Sequence, residues 1–195
     1  MEGLVALVAF AFVNCVTPGP NNVMLWASGA AFGMRRTMRH IVGTAVGIGL
    51  MALSVAAGLG ALATAVPQIA FAMKVAGSVY LLYLALQIAG MRGLMATEIA
   101  RPLGLAAAAA FQVINPKAWI FALGAMTTFR PAGMPVVGGS LLVAVTMAAV
   151  VLPTAALWAA AGGAINRLMA GEGRRRLVAG ILAVLVVATV VSVWA

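Results

Sequence analysis

The chain has no aspartate, one histidine, one cysteine and three glutamates in 195 residues. Each shortage excludes a kind of chemistry. A single cysteine, Cys15, cannot close an intrachain disulfide or form a redox pair. One histidine (His40), one cysteine and glutamates only at Glu2, Glu98 and Glu172, all at an end or in a loop, leave no donor set suited to a transition metal. Charge is also scarce: 8% of residues are charged, against roughly a quarter in an ordinary soluble domain. The formal net charge of +9 does not make a nucleic-acid binder. The arginines sit in short clusters between apolar runs, with no basic domain and no aromatic platform.

What the chain does have is apolar side chain, 65% of its residues. That much cannot be hidden in one small soluble core, so the solvent is a lipid bilayer. The Ala-, Leu- and Val-rich stretches are about 20 residues or longer, the length of membrane-crossing helices. Six spans are expected, at 3–32, 41–66, 69–91, 103–128, 135–164 and 177–194. The opening Met1-Glu2-Gly3 lacks the positive start of a secretory signal, so the first span is read as retained. Basic residues fall mostly on one side. Arg35, Arg36 and Arg39, then Arg92 and Arg101, then Arg167 and Arg174–Arg176 lie in alternate connections, opposed only by Lys74 and Arg130. Positive loops stay in the cytoplasm, which places both termini on the periplasmic face.

Six spans divide into two sets of three, and an odd number per set makes the second enter from the opposite side. The expected fold is therefore an all-α polytopic membrane protein of two inverted three-helix repeats, 3–91 and 103–194, forming a single transmembrane transporter domain over 1–195. Two proline-bearing polar motifs, each near the middle of its span, support this reading: Thr17-Pro18-Gly19-Pro20-Asn21-Asn22 in the first and Asn115-Pro116-Lys117 in the fourth. Proline removes a helix hydrogen bond and clashes with the preceding turn. In lipid the loss must be made good by neighbouring helices or a hydrated cavity. Broken helices 1 and 4 are thus the sequence pointer to a transport site.

The first break should end a helix near Val16 and restart one near Pro20, since proline suits a helix's first turn. Thr17, Asn21 and Asn22 are placed to bond the loosened backbone. Asn115 is the candidate cap of the helix restarting at Pro116, and Lys117 brings a cation to about mid-depth. Such an insertion costs about 2.5–3.5 kcal/mol, which makes it a site candidate by default. Two helix starts and a lysine form an electropositive pocket that suits a carboxylate. The carbonyls ending the preceding half-helices (residues 14–16, 113 and 114) suit an ammonium. An amino acid carries both groups. The candidate substrate-binding set is Thr17, Pro18, Gly19, Pro20, Asn21, Asn22, Gln112, Asn115, Pro116 and Lys117, with Gln112 one turn before the second break. No catalytic residue and no cofactor or metal is expected. His40, in a basic segment, is read as solvated; Lys74, as snorkelling. Trp26, Trp119, Trp158 and Trp194 are too scattered for a cofactor box, and some are read as interfacial anchors. The glycines of span two (Gly43, Gly47, Gly49, Gly58, Gly60) and of span five (Gly138, Gly139, Gly162, Gly163) are read as close helix packing within the bundle rather than as the face of a homodimer.

The same residues resemble the lysine exporter (LysE/RhtB) family of bacterial amino-acid exporters. Thr17-Pro18-Gly19-Pro20-Asn21 resembles its first-span signature. Gly33 to Arg39 with Gly43 and Gly47 resembles its first cytoplasmic loop and second span. The run from Lys74 to Leu84 resembles its third span, and Asn115-Pro116-Lys117-Ala118 with Phe121 its fourth. The likeness covers about residues 10–130; the last two spans agree in length and character. It implies a six-helix transporter of the bacterial inner membrane that exports amino acids or derivatives, using protons as the driving partner, with both breaks lining the substrate path. It does not imply an enzyme. Many relatives carry an aspartate or histidine in the second span, and many an aspartate where Asn21 stands. Residues 45–66 hold no ionisable group. With no carboxylate in any expected span, a neutral amino acid is favoured over a cationic one. Lys117 is then the candidate proton-coupling group. An exporter of inorganic or metal ions is the rival function, opposed by the missing ligands. A membrane thiol–disulfide enzyme needs the second cysteine that is absent. A non-transporting scaffold would leave the paired breaks unexplained.

Overall fold

A computed structural model describes residues 2–59 and 102–168, with scattered helical positions between 68 and 86 and between 173 and 191. Among the described residues the structure is all-helical. Helix α1 is Glu2–Val16, α2 is Pro20–Ser54, α3 is Leu105–Ile114, α4 is Pro116–Phe129 and α5 is Val136–Leu168, and a π-helical turn, Val55–Leu59, follows α2. Most of the expected third and sixth spans, with Lys74, Tyr80, Trp194, Arg92, Arg101 and Arg174–Arg176, lies outside the described residues.

Both prolines act as their chemistry requires. α1 ends at Val16 and α2 starts at Pro20. α3 ends at Ile114 and α4 starts at Pro116, and the two are bent by 79°. Asn115 between them is extended (φ −87°, ψ 104°), the conformation that the following proline imposes.

α2 is not a single rod. Gly33 breaks its helical angles with φ 75°, ψ 166°, a region open essentially to glycine alone. Two hydrogen bonds show how far the chain turns there. Ser28 Oγ and Thr37 Oγ1 are 3.2 Å apart across 9 residues, and Thr44 Oγ1 donates to Asn21 Oδ1 at 3.2 Å across 23 residues. A straight helix would separate the second pair by about 35 Å. Both pairs centre between Phe32 and Gly33, so the chain folds back there into a helical hairpin with arms 20–32 and 34–54. The expected loop over 33–39 is therefore a one-residue turn. Helix resumes at once, with Arg35, Arg36 and Arg39 on its exposed side.

Fold-back also corrects the reading of His40. It lies two turns into the second arm, on the stripe with Thr37, Ile41 and Thr44, and is 1% exposed. The helical face buries it, and neither ring nitrogen has a hydrogen-bond partner. The second arm thus carries an ionisable side chain, five residues before the stretch read as free of them.

α5 packs most extensively on α2, and α3 packs on α2 as well. Small residues make these approaches possible. A Cβ on Gly29 would strike the backbone of Ala159, one on Gly162 that of Trp26, and one on Gly43 the carbonyl of Leu105. On Gly47 it would lie 2.7 Å from Ala109 Cα. In lipid, where apolar side chains gain little by leaving the solvent, such backbone proximity supplies the dispersion contact that holds helices together. α1 joins through Phe10, whose ring centre is 5.8 Å from that of Phe121 and 5.2 Å from that of Phe129. By length and apolarity Val136–Ala164 qualifies as membrane-crossing and the bent α3–α4 pair as one broken span, while the apolar run Pro20–Gly58 is divided between the two arms of the hairpin at Gly33.

Candidate functional site

The two breaks meet. Lys117, at the second position of α4, reaches across to the end of α1, where its ammonium donates to Thr17 O at 2.9 Å, Thr17 Oγ1 at 2.7 Å and Pro18 O at 3.4 Å. These residues are about one hundred apart in the chain. The rest of α1's end is satisfied locally. Thr17 Oγ1 donates to Asn14 O at 2.9 Å; Asn22 Nδ2 donates to Cys15 O at 2.7 Å and to Thr17 O at 2.9 Å. Trp158 Nε1, from α5, adds a bond to Cys15 O at 3.1 Å. A helix end in a water-poor setting needs such partners for its last carbonyls.

Two expectations are corrected by these bonds. The carbonyls of Asn14, Cys15 and Val113 were read as acceptors for a guest ammonium, yet side chains of Thr17, Asn22, Trp158 and, at 2.8 Å, Trp119 Nε1 already occupy them. Of the tryptophans read as too scattered for a cofactor box, and some as interfacial anchors, three are described: Trp26, Trp119 and Trp158. Trp26 is 3% exposed in the core, while the other two tie helix ends. Asn115 stands at the N-cap position of α4 but forms no capping bond. Its Nδ2 instead donates to Gln112 Oε1 at 3.1 Å.

That last bond begins a buried amide chain. Gln112 Nε2 donates to Asn21 Oδ1 at 3.1 Å and to Ala108 O at 3.0 Å. Asn21 Oδ1 also receives Thr44 Oγ1 at 3.2 Å. Asn115, Gln112, Asn21 and Thr44 are all at most 9% exposed. The chain joins the second break, the first break and the hairpin's second arm, and it is complete except at one end: Asn115 Oδ1 is buried without a partner.

Beside this chain lies a cavity of about 440 Å³, counting space open to solvent. Seven of the ten expected site residues line it: Gly19, Pro20, Asn21, Asn22, Gln112, Asn115 and Lys117. Thr17 and Pro18 touch it through Lys117, and Pro116 does not line it. α2 and α4 both begin at the cavity. The N–H groups of Asn21, Asn22 and Lys117 belong to first turns and have no intrahelical acceptor, so two partial positive charges converge beside the lysine. The arrangement can hold a small polar guest with an anionic group.

Several cavity residues escaped sequence reading: Thr44, Ile48, Val151 and Thr154. A signal for one was present. Pro153 lies inside α5 and frees a carbonyl of the turn before it. Thr154 follows it, with its hydroxyl on Val150 O at 2.8 Å and Val151 O at 3.1 Å. This is a third proline-marked weak point, and it faces the same cavity. Among the described residues no three His, Cys, Asp or Glu side chains converge as a metal site.

A profile described as LysE type translocator matches residues 12–193. The cysteine/O-acetylserine efflux protein of Klebsiella pneumoniae subsp. pneumoniae is 29% identical over 173 residues, covering 87% of each chain. The proteins of the same name from Escherichia coli (strain K12) and Salmonella typhimurium are 28% and 27% identical over 192 residues, covering 98% of this chain and 97% of theirs. No solved structure matches.

Proposed function

The chain belongs to the LysE type translocator family, and from that premise we propose that it is a secondary exporter of small neutral amino acids or their derivatives across the bacterial inner membrane. Translocators are not enzymes, and no chemical step is asked of the residues here. Cysteine and O-acetylserine, after which its efflux relatives are named, are the first candidates for the cargo. The observation that carries the reading is the meeting of the two breaks on one cavity, bridged by Lys117. In a bilayer, unwound backbone persists only where protein or a hydrated cavity supplies its partners, and transporters place their sites at such interruptions.

The remaining features follow the same reading. Two inverted three-helix repeats give six spans, with both termini periplasmic by the distribution of arginine. The guest's carboxylate sits at the starts of α2 and α4 and against Lys117; Asn21, Asn22, Gln112 and Asn115 orient its polar groups. Alternating access moves one repeat against the other around this site, driven by the proton-motive force. The lipid bilayer is the only partner this reading requires besides cargo and protons; a homodimer is compatible with it.

The test is efflux from proteoliposomes preloaded with a panel of amino acids including cysteine and O-acetylserine, with and without an imposed pH gradient. Saturable efflux accelerated by the gradient is expected for at least one neutral member. Rates equal to those of protein-free liposomes across the panel refute the reading. Pro18→Ala/Pro20→Ala and Asn115→Ala should abolish efflux while the protein still inserts; wild-type rates in both would reduce the breaks to structural kinks.

A further inference from the structure

Lys117 is held by neutral oxygens. Its ammonium bonds Thr17 O, Thr17 Oγ1 and Pro18 O, and among the described residues no carboxylate lines the cavity it borders. Its stem crosses Gly19 so closely that a Cβ there would lie 2.9 Å from Cδ and 3.2 Å from Nζ. A cation in lipid and an opened helix end are each costly alone; laid on one another, they satisfy each other. The residue at the N-cap of α4 carries the complementary shortage. Asn115 is 5% exposed, its Nδ2 is committed to Gln112, and its Oδ1 has no donor. A buried acceptor left without a partner calls for an explanation, and here a guest's donor supplies one.

We propose that Lys117 is a displaceable internal stand-in for the guest's ammonium, and that a zwitterionic amino acid binds by exchanging for it. The guest's carboxylate draws the Lys117 ammonium away from Thr17 and Pro18. The guest's own ammonium then takes the vacated carbonyl oxygens and the free Asn115 Oδ1. The inference rests on the amino-acid reading above and adds that both charges of the guest are obligatory. An amine has no anion with which to move Lys117 and meets a like charge. An acid moves Lys117 but leaves Thr17 Oγ1 and Pro18 O without their cation, Thr17 O keeping only Asn22 Nδ2. Only the zwitterion ends with every charge and every opened oxygen paired.

The test uses the reconstituted full chain and three competitors that share one side chain: L-cysteine, cysteamine, which lacks the carboxylate, and 3-mercaptopropionate, which lacks the amine. Each competes with radiolabelled L-cysteine under reducing conditions. Losing the hydrogen bonds of one charged group weakens binding by about tenfold or more. Cysteamine and 3-mercaptopropionate are therefore each expected to compete at least about tenfold more weakly than L-cysteine. If either comes closer than that, the exchange is wrong even though the protein exports amino acids. Absence of cysteine efflux with other amino acids moving would shift the comparison to the mobile amino acid, its decarboxylated amine and its deaminated acid, under the same criterion. No movement of any amino acid would instead refute the functional reading itself. In Lys117→Met the preference for cysteine over cysteamine should shrink, because the carboxylate keeps only the helix starts; an undiminished preference in that variant overturns the role given to Lys117. The wild-type comparison stands whether or not the variant folds.

Discussion

Gln112→Leu is the sharpest test of the buried amide chain. Gln112 both receives Asn115 Nδ2 at 3.1 Å and gives Nε2 to Asn21 Oδ1 at 3.1 Å. Leucine is of similar length and removes both bonds. Asn21 Oδ1 retains Thr44, so the first loss is only of a bond. The second strands Asn115, whose Oδ1 is already unpaired, leaving its whole amide without a partner at 5% exposure. Interhelical hydrogen bonds in membranes average about 0.6 kcal/mol with maxima near 2, and a stranded buried polar group costs about 1–3 kcal/mol. Together these predict a loss of about 2–4 kcal/mol for the single variant. Asn115→Leu strands only Gln112 Oε1 and should cost about 1–2 kcal/mol. Its backbone is already extended before Pro116 and loses no cap. The double variant removes both partners, so it should be no worse than Gln112→Leu alone, a coupling of at least about 1 kcal/mol. Equilibrium unfolding in detergent micelles, followed for wild type, both singles and the double, completes the cycle. Additivity within about 0.3 kcal/mol would mean that the two amides do not act as a unit, and the argument from the bonded chain would fail.

Gly33→Ala should destabilise the protein by about 1–3 kcal/mol, since a side chain is forced into a backbone region that only glycine enters freely. Micelle unfolding measures it, and an unchanged midpoint would mean that the hairpin does not turn at Gly33 as described. His40→Phe should keep or raise stability: both ring nitrogens are buried without partners, so an apolar ring removes a desolvation penalty of about 1–3 kcal/mol without breaking a bond. A loss of more than about 2 kcal/mol in the same assay would show that the imidazole has a polar partner after all.

The breaks were legible in the residues because their cause is local. Pro18, Pro20 and Pro116 lack N–H groups wherever the chain goes, so the stops at Val16 and Ile114 and the restarts at Pro20 and Pro116 needed no knowledge of neighbours. Apolar run length gave the extents of the fourth and fifth segments for the same reason. His40 and the 33–39 segment were misread because local polarity is a poor guide once a single glycine reverses the chain. Clustered arginines suggested a loop, whereas helix resumed within one residue and turned every third or fourth side chain inward.

Composition and proline placement, then, already determined a lipid-embedded helical chain interrupted at two defined points. They also determined that the expected spans offer a guest no carboxylate, because aspartate is absent and the glutamates lie outside them. Which atoms face which at the interruptions was decided only by tertiary structure. That Lys117 closes the end of a helix one hundred residues away, and that Gln112 bonds Asn21 rather than lipid or water, depends on backbones packed closely enough at Gly43 and Gly47 to bring the polar ends within 3 Å or so. Hydrogen bonds are short-ranged, and sequence separation carries no information about which distant partners the packing will bring within that range.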